Sequence, residues 1–326
     1  MNPIEDILSQ LNRPCKVIGY SDAPQVYRVQ LQPLHRPTGN GGRGQLTRAR
    51  HLELMTQDIA LGLGLDEVEI AVEDGKLWLL VPKSERDLVL FESVKAWGTL
   101  PWVLGRDVHG DDLFLDLAHP ASPHVLIAGT TGSGKTVALK SAISWLLLKR
   151  RQPMVLIDTK HELSVFADHP SVAVVHDARH ALKHLEMLRK DAELRFKRGI
   201  HPDDPNIGRL LIVIDEFADL VFQYPEVENV MVRMAQKVRA AGYHLVMATQ
   251  RPTVDVVTGL IKANMPVRVA YQCVSKTDSK VILDQNGAEK LLGMGDGLLM
   301  MSGKLARFQG AYVEDRWIEN WIRGLR

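Results

Sequence analysis

The run His124-Val125-Leu126-Ile127-Ala128 leads directly into Gly129-Thr130-Thr131-Gly132-Ser133-Gly134-Lys135-Thr136. No other feature constrains the chain as much. The octad fits G-x-x-x-x-G-K-[ST], with an apolar strand before it and an apolar-periodic helix predicted over 135–150, the context this motif requires. Its glycines let backbone N–H groups turn inward around phosphate oxygens. The helix that follows presents its positive dipole end to the same anion. Lys135 is placed to reach β- and γ-phosphates, and Thr136 to ligate Mg²⁺. At average residue frequencies the pattern arises by chance in about one chain in a hundred of this length. The flanking elements argue further against a mere glycine-rich turn.

A second apolar run, Leu210-Leu211-Ile212-Val213-Ile214, ends in Asp215-Glu216. In a parallel sheet such an end lies at the ligand-binding edge. Asp215 suits a hold on Mg²⁺ through water, and Glu216 suits the base that orients an attacking water. A glutamate here favours hydrolysis over transfer to an acceptor, because water needs a base. A third run ends at Asp158, which fits the same site and a strand-terminal turn or helix cap equally well. His244-Leu245-Val246-Met247-Ala248-Thr249-Gln250 is another buried strand. Gln250 at its end can bond both water and phosphate and so report which nucleotide is bound; a polar strand cap is the plainer alternative. Arg239 closes a helix predicted over 226–241. It either complements the helix dipole or reaches a neighbouring subunit's site, and spacing does not choose.

Alternating strands and helices from residue 124 onward, with strands at 124–128, 154–158, 210–214, 244–248 and 267–273, predict a mainly parallel sheet covered on both faces. A final hairpin is predicted across 298–313, turning at Ser302-Gly303-Lys304, and a strand pair around 102–104 and 113–115. The first 95 residues read as a separate β-α-β-β module: a strand at 26–31, a helix at 47–63, and strands at 68–72 and 77–81 joined through Asp74-Gly75. We therefore expect a small α+β domain over 1–95 and a phosphate-loop domain over 96–326, in keeping with 326 residues. The segment 32–45, rich in glycine and proline, reads as a mobile loop. Five arginines (Arg28, Arg36, Arg43, Arg48, Arg50) and no acid lie between Ala23 and Leu52. This suits a phosphate-contacting arm or a contact with a neighbouring subunit equally.

Forty basic residues against thirty-nine acidic ones exclude a histone-like polycation but not a locally positive groove. Two distant cysteines exclude a disulfide framework and suit a reducing cytoplasm. No apolar run approaches the length of a membrane span, and Met1–Gln10 lacks the pattern of a signal peptide. The chain is expected to be soluble and cytoplasmic.

The phosphate loop, Asp215-Glu216-Phe217-Ala218-Asp219-Leu220 and Ala248-Thr249-Gln250-Arg251-Pro252 together resemble the motor core of the FtsK/SpoIIIE DNA translocases. So do Gly259–Pro266, Ser275–Glu289 and Leu291–Gly297. Several of these blocks have no part in a generic phosphate-loop ATPase. The likeness covers roughly residues 20–315. It implies a RecA-like α/β core that assembles as a hexameric ring around double-stranded DNA and hydrolyses ATP with Mg²⁺ at subunit interfaces. Glu216, Gln250 and a trans-acting Arg239 would then be catalytic, and Thr136 and Asp215 would serve the metal. Arg251, Lys276 and Lys280 match basic positions on loops facing the ring's channel.

The family's membrane spans and C-terminal winged helix have no counterpart here, which favours an accessory translocase of a mobile element, plasmid or defence island. The alternatives are a coupling ATPase of conjugation and an ATPase motor of protein secretion. The sequence names no membrane or recruiting partner.

Overall fold

A computed structural model of the chain describes residues 2–37, 43–73, 75–83, 85–201 and 208–325. It divides into two compact units. One is Met1–Asp87 with Val108–Asp111, and the other is Leu88–Asp107 with Asp112–Arg326. Residues 88–95, expected with the small domain, bury Val89, Phe91 and Val94 in the core of the large unit.

The small unit comprises α1 (Pro3–Gln10), β1 (Cys15–Asp22), β2 (Val26–Pro33), β3 (His35–Pro37), β4 (Arg43–Leu46), α2 (Ala49–Glu53), α3 (Thr56–Leu63), β5 (Glu69–Glu73) and β6 (Lys76–Pro82). Its antiparallel sheet has the order β1-β2-β6-β5. Leu8, Val29, Leu31, Leu52, Ile59 and Leu79 form its core beneath the helices. The β-α-β-β pattern is present, with α1 and β1 added in front and the predicted helix divided at Leu54-Met55. Part of the segment read as a loop is ordered, since β3 and β4 pair as an antiparallel ribbon. Residues 38–42 of that segment, and Asp74 of the predicted turn, lie outside the described residues. Arg28 does not belong to a basic arm: it is buried on β2, with its guanidinium 4.2 Å from the Trp78 ring centroid.

The large unit continues with β7 (Val89–Leu90), β8 (Pro101–Asp107), β9 (Asp112–Asp116), β10 (His124–Ala128), α4 (Lys135–Arg150), β11 (Met154–Ile157), β12 (Val172–Val175) and α5 (Ala178–Lys197). Then come β13 (Leu210–Ile214), α6 (Phe217–Gln223), α7 (Glu226–Lys237), β14 (Tyr243–Thr249), α8 (Gly259–Asn264) and β15 (Val267–Tyr271). The chain closes with α9 (Lys276–Leu283), β16 (Asp296–Met301), β17 (Lys304–Tyr312) and α10 (Asp315–Arg323). Six parallel strands, β12-β11-β13-β14-β10-β15, are extended by antiparallel β16-β17-β8-β9. Strand side chains alternate between two cores. Leu126, Ile212 and Leu245 face α5 and α7. Val125, Leu211 and Val246 face α4 and α10. Each fully buried aliphatic side chain contributes about 2 kcal/mol, so continuous apolar strands are stable only when covered on both faces. Helix α4 is buried around most of its circumference, from Ala138 to Leu147, as befits a helix inside a large core.

Candidate functional site

The loop from β10 to α4 lies at the carboxyl edge of the parallel strands, with β14 and β15 on either side of β10. Gly134 is the N-cap of α4 at φ 105°. A Cβ there would stand 2.4 Å from the backbone nitrogen of Gly295, so only glycine fits. The loop is tied to its surroundings through the backbone. Thr130 N–H donates to the Gln272 carbonyl at 2.9 Å, and Gly295 N–H donates to the Ser133 carbonyl at 2.8 Å. A cavity of about 350 Å³ opens beside it, with Leu88, Met294, Ala311 and Tyr312 forming an apolar wall.

Lys135, on the first turn of α4, is buried. Its ammonium donates to the Asp215 carbonyl and to Asp215 Oδ1, both at 2.9 Å. Asp215 is also fully buried. Burial pushes its carboxyl above the usual carboxylate range against the pull of Lys135, and Glu162 and Asp158 add to the rise. Its second oxygen, Oδ2, has no hydrogen-bond partner.

Glu216 precedes α6 and is held by groups from two other strand ends. Thr249 Oγ1 donates to it at 2.7 Å, Gln250 N–H at 3.1 Å to both oxygens, and Lys160 Nζ at 3.0 Å. Gln250 Oε1 accepts from the Thr131 hydroxyl at 3.0 Å. One residue therefore touches both the phosphate loop and the candidate base. Burial opposes the charge on Lys160, but Glu216, Asp219 and Glu162 together more than offset it and hold its pKa above the ordinary lysine value.

The loop after β11 supplies two residues that sequence reasoning missed. Lys160 is one. Glu162, whose carboxylate accepts from the Thr136 hydroxyl, is the other. Asp158, left open between site and cap, acts as a cap. Its carboxylate accepts from Glu162 N–H at 2.9 Å, Leu163 N–H at 3.0 Å and the Ser164 hydroxyl at 3.2 Å. The signal for the two missed residues was a charged run, Asp158-Thr159-Lys160-His161-Glu162, leaving an apolar strand as Asp215-Glu216 does.

The structure thus gathers Lys135, Thr136, Asp215, Glu216 and Gln250 at one edge. Arg251, Lys276 and Lys280 are exposed on elements leaving the same edge. Arg239 is not among them. It is exposed in a 3₁₀ turn just before the start of β14, at the opposite edge. Six strand steps of about 3.3 Å put the two edges roughly 20 Å apart.

The residues fit a nucleotide with its divalent cation. The glycine backbone leaves an open cradle, Asp215 Oδ2 is an unmatched buried acceptor, and Thr136 offers a hydroxyl oxygen. Among the described residues no group of three or more His, Cys, Asp or Glu side chains could hold a metal by itself. Mg²⁺ keeps several waters and takes phosphate oxygens as ligands, so the two protein oxygens offered here, Thr136 Oγ1 and Asp215 Oδ2, fit its needs. Among the described residues no helix is long and apolar enough to cross a membrane.

The model of the FtsK/SpoIIIE family matches residues 92–199 and 201–254. The chain is 36% identical to DNA translocase FtsK of Treponema pallidum, over 99% of this chain and 43% of that protein. It is 37% identical to DNA translocase FtsK of Pseudomonas aeruginosa, over 92% and 43%. It thus spans less than half the length of these curated relatives. Among solved structures, the pCW3 conjugation coupling protein TcpA with ATPγS superimposes with a TM-score of 0.69 at 20% identity, covering 99% of this chain and 98% of that one. The cytoplasmic domain of the type VII secretion ATPase EccC of Thermomonospora curvata gives 0.61 at 22% identity, over 71% and 32%. These two show a shared fold. The sequence relatives reach further, extending the likeness beyond the phosphate loop to nearly the whole chain, and on that ground the chain belongs to the FtsK/SpoIIIE family, with a P-loop ATPase core as its large unit.

Proposed function

We propose that this chain hydrolyses ATP with Mg²⁺ and uses the energy to translocate double-stranded DNA as a subunit of a hexameric ring. The observation that carries the reading is the link through Gln250. Its side chain meets Thr131 of the phosphate loop, its N–H meets Glu216, and the next residue is the exposed Arg251. A change at the terminal phosphate therefore has a short covalent route to a group suited to a DNA phosphate.

In this reading the loop N–H groups and Lys135 bind the phosphates. Lys135 turns from Asp215 toward them, leaving Asp215 and the Thr136 oxygen facing the cation. Bound Mg²⁺ supplies charge stabilisation to the transferring phosphoryl group. Glu216 orients the attacking water and accepts its proton. Gln250 registers whether the terminal phosphate is present. Arg239, too far from its own site, serves the next subunit's. Arg251, Lys276 and Lys280 contact DNA phosphates, so motion is independent of sequence and weakens with salt. Both cysteines are free and buried, in keeping with work in the cytoplasm.

The test is ATP turnover with linear duplex DNA, single-stranded DNA or neither, at low salt, beside displacement of a triplex-forming strand. Duplex is expected to raise turnover and to support displacement, with both lost in Lys135→Ala. Turnover indifferent to duplex at low salt would overturn the coupling. A response to single strands alone would move the chain to a conjugative type of transfer.

A further inference from the structure

The loop after β11 places Glu162 on the hydroxyl of Thr136, a contact that the phosphate-loop motif does not contain. A threonine hydroxyl has one hydrogen to give and two lone pairs. With the hydrogen committed to Glu162, the oxygen presents only lone pairs elsewhere, the state required of a cation ligand. Glu162 is anchored for this contact. Its own N–H is held by the fully buried Asp158 carboxylate at 2.9 Å, and the following Leu163 N–H by the other oxygen of the same group at 3.0 Å. Lys135, the residue before Thr136, holds Asp215 Oδ1 at 2.9 Å, so Glu162, through its contact with Thr136, stands with Thr136 and Asp215 around one locus. Asp215 Oδ1 is thus taken up by Lys135, whereas its Oδ2, buried and without a hydrogen-bond partner, is a second observation, separate from the Thr136 contact, of an oxygen acceptor left open at that locus.

We propose that Glu162 is a positioning residue for the divalent cation that accompanies the nucleotide. It fixes the Thr136 hydroxyl in its ligating orientation and adds a negative charge beside the metal. This rests on the nucleotide reading above. Outer carboxylates that orient a ligating group are commonly worth tenfold or more in metal affinity. The same charge repels a nucleotide that arrives without its cation. Glu162 thus has opposite effects on the two forms of the ligand, whereas a loop anchor would affect both alike.

The experiment measures binding of a non-hydrolysable ATP analogue by the wild type, Glu162→Gln and Glu162→Asp, in EDTA and across a Mg²⁺ titration. In Glu162→Gln the Mg²⁺ concentration giving half-maximal enhancement of binding is expected to rise about tenfold. Its affinity in EDTA should equal or exceed that of the wild type. Glu162→Asp, which keeps the charge, should recover part of the Mg²⁺ response. An unchanged Mg²⁺ midpoint in Glu162→Gln would overturn the inference, as would equal weakening with and without Mg²⁺. A wild type that binds no analogue under either condition would instead overturn the nucleotide reading itself.

Discussion

Glu216 accepts from Thr249, Gln250 and Lys160, and of the three only Lys160 brings a charge. Two of these holders lie on β14 or directly after it. The third lies on the loop after β11, so the carboxylate is fixed between two separately anchored supports. A carboxylate positioned for water must keep its geometry while the phosphates around it change, and small misplacements in such a site cost on the order of tenfold to a hundredfold in rate. Lys160→Met is therefore expected to lower kcat by about that factor while leaving KM for ATP within about twofold, because Lys160 touches the base and not the phosphate loop. Lys160→Arg should restore part of the loss. Steady-state kinetics decide: a rise in KM with kcat preserved would place Lys160 on the nucleotide instead. Neither Lys160 nor Glu162 was read from the sequence, whereas the phosphate loop, Asp215, Glu216 and Gln250 were. The difference is physical. Those four features sit on or directly after buried apolar strands, where periodicity fixes their place. Lys160 and Glu162 sit two and four residues beyond Asp158, where tertiary contacts rather than strand periodicity decide the direction: the capping bonds of that aspartate for the Glu162 backbone, and the ion pair with Glu216 for Lys160.

The same contrast governs the elements. Strands β11 and β13 were legible because each is an uninterrupted apolar run, and β10, β14 and β15 because their apolar runs are broken only at His124, at His244 and Thr249, and at Arg268. Strand β1 was not. Ile18 and Tyr20 are exposed at 49% and 67%, and a bulge between Val17 and Gly19 breaks the alternation. Strand β12 is four residues long at the sheet edge, and β3 and β4 lie in a segment whose composition argues for a loop. Burial of the central strands has a further consequence at their amino ends. Burial holds His124 of β10 down to a pKa of about 3, helped by His244 and Arg239, and His244 of β14 to about 4, helped by Arg209. His124 Nδ1 accepts from Leu245 N–H at 3.1 Å. The His244 ring lies between the Pro123 carbonyl at 3.3 Å and Arg209 at 3.1 Å. In the unfolded chain both protonate near 6.5. Between that value and the folded values the unfolded state binds more protons, so stability falls as pH drops. At pH 5 each histidine should cost about 2 kcal/mol relative to pH 7.5. Urea midpoints at the two pH values measure the difference, and His244→Gln should shrink it. An equal difference in that variant would place the acid sensitivity elsewhere.

At the scale of the molecule, the polarity of the parallel strands separates the phosphate cradle from Arg239. One edge carries the phosphate cradle and Glu216. The other carries Arg239, roughly 20 Å away by strand length and exposed. A guanidinium at that distance cannot neutralise charge in its own site, but a head-to-tail contact that repeats the same pair of surfaces would bring it to a neighbour's, and such contacts give rings where the rotation closes. The arrangement predicts complementation between two inactive proteins. Arg239→Ala keeps a whole cradle but offers nothing to its neighbour, and turnover should fall on the order of 10³-fold. Glu216→Gln offers its arginine but has no base. Mixed in equal amounts and allowed to exchange, about a quarter of the interfaces pair an intact Glu216 with an intact Arg239, and turnover should reappear in the mixture alone. Its dependence on total protein concentration should follow assembly, and the appearance of activity should lag behind mixing by the time subunits take to exchange. A mixture as inactive as its components, in the presence of duplex DNA and at concentrations where the wild type turns over, would return Arg239 to the role of a charge at the end of its helix.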